Sequence, residues 1–107
     1  MYWILFYDVV DDYIERRAPL RDAHLSLAQS AQRLGFLIIA GAYDDPADGA
    51  ALVFAADDIA VVEQFVRDDP YVREGLVRSW RIRRWNVVIG PDSNRGFGQS
   101  RSGIWQP

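Results

Sequence analysis

Apolar residues along the chain switch between two spacings, and the switches mark its elements. Tyr2-Trp3-Ile4-Leu5-Phe6-Tyr7 is aromatic and branched and stops at the polar run Asp8 to Asp12, the pattern of a strand and its turn. Tyr13 to Arg17 read as a short turn leading into a helix whose first position suits Pro19. Leu20, Ala23, Leu27, Ala31 and Leu34 then recur at three- and four-residue spacing, and Gly35 supplies a left-handed stop. This predicts an amphipathic helix over 19–34, about 24 Å long. Residues 36–43 and 50–56 read as a hairpin around Asp44-Asp45-Pro46-Ala47-Asp48-Gly49. Asp57 or Asp58 can cap a second helix over about 58–68, with Ile59, Val62, Phe65 and Val66 as its buried stripe. Pro70 ends that helix and forces Asp69 into extended backbone. After Gly75, residues 76–89 read as a long last strand. Trp80 and Ile82 differ in parity from Trp85, Val87 and Ile89, so a bulge near Arg83-Arg84 is expected to bring both sets onto one core.

Strand, helix, strand, strand, helix, strand is the order of a ferredoxin-like α+β sandwich, βαββαβ, with two helices on one face of an antiparallel four-stranded sheet. The other face is apolar too. Tyr2, Ile4 and Phe6 oppose Trp3, Leu5 and Tyr7, and Phe36, Ile38 and Ala40 oppose Leu37, Ile39 and Gly41, where a solvated face calls for polar alternation. A second copy packed sheet to sheet would cover it symmetrically, so a homodimer is expected.

The chain of 107 residues fits one domain over 1–90 and a Gly-, Ser-, Asn-, Gln- and Arg-rich tail over 91–107, expected to be flexible, with Phe97, Ile104 and Trp105 as its possible anchors. Without cysteine there is no disulfide framework, thiolate metal site or cysteine nucleophile. No apolar run approaches the roughly 18 residues of a membrane span, and no leader is visible, so a cytoplasmic location is expected. A net charge of −3 gives no general attraction to nucleic acid. Arg78, Arg81, Arg83 and Arg84 interleaved with Trp80 and Trp85 imitate a nucleic-acid surface, but their apolar neighbours fit strand-edge and interface arginines better. Gly96-Phe97-Gly98 lies in the tail and is no dinucleotide loop, and Ser26, Ser30 and Ser79 carry no nucleophile signature.

The candidate chemistry converges on Asp69 and the single histidine, His24. His24 follows Leu20 by four and precedes Leu27 by three, beside the buried stripe. A neutral imidazole there can move protons near pH 7 if a carboxylate fixes its tautomer; it can equally be a core histidine satisfied by a backbone carbonyl. Asp69 is either the cap of a turn or a working carboxylate. Tyr71 can offer its hydroxyl to a substrate oxygen or set it at the rim of the core. Arg17 and Arg21 share a helical side with His24 and suit an anionic substrate or phenolate, unless acids such as Asp11, Asp12 or Asp22 take them. One histidine without cysteine is a poor beginning for a metal site, and no cofactor is expected.

Arg21-Asp22-Ala23-His24-Leu25, Ala40-Gly41-Ala42, Ala51-Leu52-Val53-Phe54, Asp69-Pro70-Tyr71-Val72-Arg73-Glu74-Gly75-Leu76 and Ile82-Arg83-Arg84-Trp85 together resemble the YciI-like (YCII-related) proteins, over about residues 2–90. The resemblance implies a dimeric α+β barrel, similar in fold to muconolactone isomerase, with His24 and Asp69 as an acid/base pair in a pocket. One activity of that family is chloride elimination from a chlorinated hydroxyhydroquinone. Ala42 stands where the family usually has proline, and the tail beyond Pro91 exceeds the family core. The expectation is a small cofactor-independent enzyme performing elimination, isomerisation or related lyase chemistry on a cyclic or aromatic oxygenated metabolite. His24 would be base and then acid, Asp69 its orienting partner, with Arg21, Tyr71 and Arg17 at the substrate. The alternatives are a cofactor-free monooxygenase of the α+β barrel class and a non-catalytic ligand-binding or assembly module.

Overall fold

Residues 1–90 are described by a computed structural model. Four strands, β1 (Tyr2–Val9), β2 (Leu37–Ala42), β3 (Gly49–Ala55) and β4 (Val77–Trp85), form one sheet in the order β2-β3-β1-β4. Every neighbouring pair is antiparallel. Four helical pieces fill the connections: α1 (Tyr13–Arg17), α2 (Arg21–Arg33), α3 (Ala60–Asp68) and α4 (Pro70–Arg73), with a 3-10 turn at Ala18–Leu20 before α2. This is the expected ferredoxin-like α+β architecture. Tyr13–Arg17 is a helix where a turn was expected, and Pro19 sits in the 3-10 turn rather than opening α2.

The strand period of two decides which side chains are covered. Leu5, Tyr7 and Val9 of β1 and Ala50, Leu52 and Phe54 of β3 are buried in one cluster with Val62, Phe65 and Val66 of α3, Tyr71 of α4 and Tyr13 of α1. Ile4 and Phe6, of the other parity, are half-buried, as are Ala51 and Val53 beside them. On the edge strands of that second face, Ile39 opposite Val53 is 67% exposed and Trp85 opposite Tyr2 is 46% exposed. Both faces are apolar, but the helices cover one.

That second apolar face also explains why the bulge expected at Arg83-Arg84 is absent. Pairing runs unbroken from Tyr2↔Trp85 to Asp8↔Ser79, and the irregularity falls at Asp8/Val9 instead. Ile82 turns toward the helices and Trp85 away, each onto an apolar surface, so no register change is needed. The arginines of β4 do not form one stripe. Arg81 lies opposite Phe6, its guanidinium 4.7 Å from the ring centre, whereas Arg84 of the other parity lies opposite Trp3. Arg78 donates to the Val9 carbonyl and meets Asp8 and Asp11.

The helix termini follow local sequence. Gly35 and Gly75 adopt φ of 86° and 81°, the left-handed stops their positions required. Asp58 accepts from the Ala60 amide at 2.9 Å just ahead of α3, whose N-cap position is Ile59 and carries no side-chain cap bond. The stripe on α2 is rotated from expectation: Leu20, Leu27, Ala28 and Ala31 pack on the core, but Ala23 is exposed and Leu34 is 72% exposed. No residue of α2 is fully buried. The helix therefore rests on the sheet along one narrow edge, which leaves room between it and β2. The expectations for residues 91–107, Phe97, Ile104 and Trp105 included, lie outside the described residues.

Candidate active site

That room is a cleft of about 460 Å3 bounded by α1, α2, β2, Tyr71 of α4 and the middle of the sheet. Three elements meet at its inner end. From α2 comes His24, its side chain 16% exposed; from the α3–α4 junction comes Asp69, fully buried; from the centre of β1 comes Tyr7, 4% exposed.

Proline sets the position of the carboxylate. Asp69 adopts φ −73° and ψ 118°, the extended backbone that a following proline demands, and Pro70 opens α4 where its missing amide hydrogen is not needed. From that pose Asp69 Oδ1 accepts the Tyr71 backbone N–H at 3.0 Å and caps α4. Oδ1 also lies 2.8 Å from His24 Nδ1, and Oδ2 accepts the Tyr7 hydroxyl at 2.7 Å. The cap of α4 and the partner of the histidine are thus one group. Its neighbour Asp68 is exposed and accepts from Gln64 at 3.0 Å.

A carboxylate that accepts from an amide and a phenol is also an acceptor toward the imidazole, so Nδ1 carries the ring proton. Nε2 is then the nitrogen with a free lone pair, on a residue that lines the cleft. The partner of His24 is a side chain, not the backbone carbonyl of the alternative reading. Tyr71 lies flat against the imidazole, ring centres 3.9 Å apart and planes 8° from parallel, and Tyr13 meets Tyr71 edge-on at 5.7 Å. The stack blocks one face of the imidazole and restricts its rotation.

Tyr7 and Tyr71 both stay protonated. Burial pushes the Tyr7 phenol well above its ordinary value, and the charge of Asp69 and the bond to it push the same way. Burial also raises Tyr71, with Tyr13 adding to the effect and Arg21 and Arg17 opposing it. Both arginines line the cleft, and Arg17 lies 5.3 Å from the Tyr13 ring centre. Neither pairs with an acid among the described residues; Asp12 meets Arg16 and Asp11 meets Arg78 instead. Opposite them the wall is apolar, with Leu25 and Ala28 of α2 facing Leu37, Ile38 and Ala40 of β2.

All five residues singled out in the sequence, Arg17, Arg21, His24, Asp69 and Tyr71, fall at this one cleft or directly behind it. Tyr7 and Tyr13 were missed. Tyr7 carried a usable signal, since a phenol at the core parity of a central strand must find a polar partner. Tyr13 carried none, because it stands in what reads as a turn. Among the described residues no group of three or more His, Cys, Asp or Glu could hold a metal ion, and no helix is long and apolar enough to cross a membrane.

Comparison with known proteins adds three findings. No curated protein matches the chain. Among solved structures it is similar to 5-chloro-2-hydroxyhydroquinone dehydrochlorinase from Burkholderia phenoliruptrix AC1100, in complex with 2,5-dihydroxybenzoquinone, at a TM-score of 0.69 and 20% identity, over 80% of this chain and 94% of that one. At that identity the likeness shows the fold alone, a ferredoxin-like α+β sandwich. Residues 1–86 match the profile of the YCII-related domain, and the chain belongs to that family.

Proposed function

We propose that the protein is a cofactor-independent acid/base enzyme that moves a proton in a cyclic or aromatic oxygenated metabolite, by elimination or isomerisation. The observation that carries this reading is the bond from His24 Nδ1 to the buried Asp69 carboxylate, with Nε2 left on a cleft of about 460 Å3. In an elimination, Nε2 takes a proton from the substrate. The electron pair of the broken bond forms the new double bond, and the leaving group, chloride for a chlorinated ring, departs with its own pair. The imidazolium is stabilised by Asp69, whose charge is held in place by Tyr7 and the Tyr71 amide. In an isomerisation the same Nε2 returns the proton to another atom. Arg21 and Arg17, which meet no acid among the described residues, suit the negative charge that builds on a phenolate or enolate oxygen. The apolar wall of Leu25, Ala28 and Ile38 suits the flat face of a ring.

The activity for which the structural neighbour is named, dehydrochlorination of a chlorinated hydroxyhydroquinone, belongs to this reaction class. The test is to incubate the protein with 5-chloro-2-hydroxyhydroquinone and measure chloride release with and without dioxygen. Release that persists anaerobically and falls about 100-fold or more in His24→Gln supports the reading. A strict requirement for dioxygen points to the monooxygenase alternative. Binding of 2,5-dihydroxybenzoquinone without turnover of any hydroquinone tried, and unaffected by His24→Gln, points to a ligand-binding module.

The proposal includes a homodimer formed through the uncovered sheet face. Ile4, Phe6, Val53, Ile39 and Trp85 make that face too apolar to be left in water, and a stable interface needs about 1,000 Å2 or more in total. A monomer at micromolar concentration by light scattering would exclude it.

A further inference from the structure

We propose that Tyr7 is a positioning residue of this site: its hydroxyl, held on the central strand of the sheet, fixes the plane of the Asp69 carboxylate and thereby the tautomer of His24. The inference rests on the acid/base reading for its purpose but not for its test.

The geometry assigns Tyr7 a task that no other group among the described residues performs. A carboxylate turns easily about its last bond, and terminal torsions of this kind are broad. Asp69 Oδ1 is pinned by the Tyr71 amide, two residues on in the chain, at 3.0 Å. That bond alone leaves the carboxylate free to rock about Oδ1 and swing its lone pairs past the imidazole. The bond of Oδ2 to Tyr7 at 2.7 Å supplies a second fixed point, 62 residues away in sequence. The two held oxygens and the carboxylate carbon define the plane, and His24 Nδ1 lies 2.8 Å from Oδ1.

Tyr7 is also well anchored. It pairs with Ala50 on one side and Trp80 on the other, and Gly49 at the start of β3 lies so close that an added Cβ would stand 2.5 Å from the Tyr7 carbonyl oxygen. His24 and Asp69 come from helical segments; Tyr7 ties them to the hydrogen-bonded sheet. Its phenol remains a donor throughout the range in which an imidazole works, since burial beside the carboxylate opposes its ionisation. It has an electronic effect as well. By drawing charge from Oδ2, Tyr7 limits how strongly Asp69 attracts the His24 proton, so the proton taken from substrate can be given back.

Because the chain has one histidine, its ring nitrogens can be read without assignment. Protein labelled with 15N-histidine is examined by long-range 1H–15N correlation at alkaline pH, where the free ring is neutral. Wild type is expected to show one Nδ1–H tautomer. Tyr7→Phe is expected to keep its far-ultraviolet circular dichroism and show a mixture in which the Nε2–H form is at least a third. An unchanged single tautomer in a folded Tyr7→Phe protein overturns the proposal. Should Tyr7→Phe fail to fold, 3,5-difluorotyrosine at position 7 keeps the shape and strengthens the donor; it should move the Nδ1 proton resonance upfield, and no movement overturns the proposal. None of these readouts needs a substrate, so failure of the proposed reaction and failure of this inference are separable.

Discussion

Asp68 and Asp69 are adjacent in the chain and opposite in environment. The first is exposed on the last turn of α3 with a glutamine for a partner; the second is fully buried with donors from three elements. The same division separates the two ends of the cleft. At the inner end, no buried side-chain nitrogen or oxygen among the described residues lacks a partner. At the rim, Arg17 and Arg21 have no acid partner among the described residues, and Ile38 is 37% exposed. A site that must hold one geometry fixes its polar groups in advance, and a site that must admit a ligand leaves its charges available. The two ends of the cleft divide those requirements.

The sharpest break in this comparison is Asp69→Ala against Asp68→Ala. Removing Asp69 strands the Tyr7 hydroxyl, the Tyr71 amide and His24 Nδ1 in the core. The expected cost is about 3 to 5 kcal/mol, the range for breaking a buried partnership. Asp68→Ala should stay within about 0.5 kcal/mol. Urea unfolding of both variants measures the difference, and equal costs would mean that Asp69 is no more than a surface cap.

Next is His24→Gln, where stability and chemistry should separate. Asp69 keeps two of its donors, so the fold should lose no more than about 1 kcal/mol, whereas turnover of a substrate processed by the wild type should fall about 100-fold or more. Large loss of stability with intact turnover would return His24 to the core.

How much of this was legible in the sequence divides along the same line. Proline chemistry fixed the backbone of Asp69, and the glycine stops and helical spacing put His24 on the correct side of α2, because these are local effects within a few residues. The fold class followed from element order and from apolar residues on both strand faces. The short helix at Tyr13–Arg17 was read as a turn because five residues carry too little periodicity, and its stability comes from burying Tyr13 against Tyr71. The seating of α2 was hidden for a related reason: spacing locates an apolar stripe but not how deeply it is pressed onto the sheet, so Leu34 was misplaced, and a pocket at His24 followed from the family resemblance and not from spacing. The Tyr7 bond to Asp69 spans 62 residues, and no local rule could join them.

The inner end should also be visible in the pH dependence of stability. Burial and Asp69 raise Tyr7 above the 10.0 of an exposed phenol, and Tyr71 is raised as well. Below pH 10 both phenols are protonated folded or unfolded, and their contribution is fully present. Above pH 10 the unfolded chain releases protons that the folded one retains, so stability should fall as the pH rises. Tyr7→Phe should remove the larger share of that slope and cost about 2 kcal/mol at neutral pH, typical of a lost bond to a charged group. An unchanged alkaline slope in Tyr7→Phe would show that the phenol does not meet Asp69.

The smallest effects belong to the rim. Arg17→Gln and Arg21→Gln remove charges that have no acid partner among the described residues, so stability should move by less than about 0.5 kcal/mol. Their effect should appear on ligands. A hydroxyquinone such as 2,5-dihydroxybenzoquinone is a vinylogous acid and anionic near neutral pH, and each substitution should weaken its binding by roughly 3- to 10-fold, about 1 kcal/mol, at low salt. Both substitutions should act in the same direction, since both side chains line the cleft. Raising the salt concentration should weaken wild-type binding and narrow the gap to the variants, because partly exposed charges are screened within about 10 Å at 0.1 M. Calorimetric titration at two salt concentrations resolves both effects. Affinity that is indifferent to both arginines and to salt would mean that the ligand sits against the apolar wall alone, and that the charge at this end of the cleft serves neither binding nor catalysis.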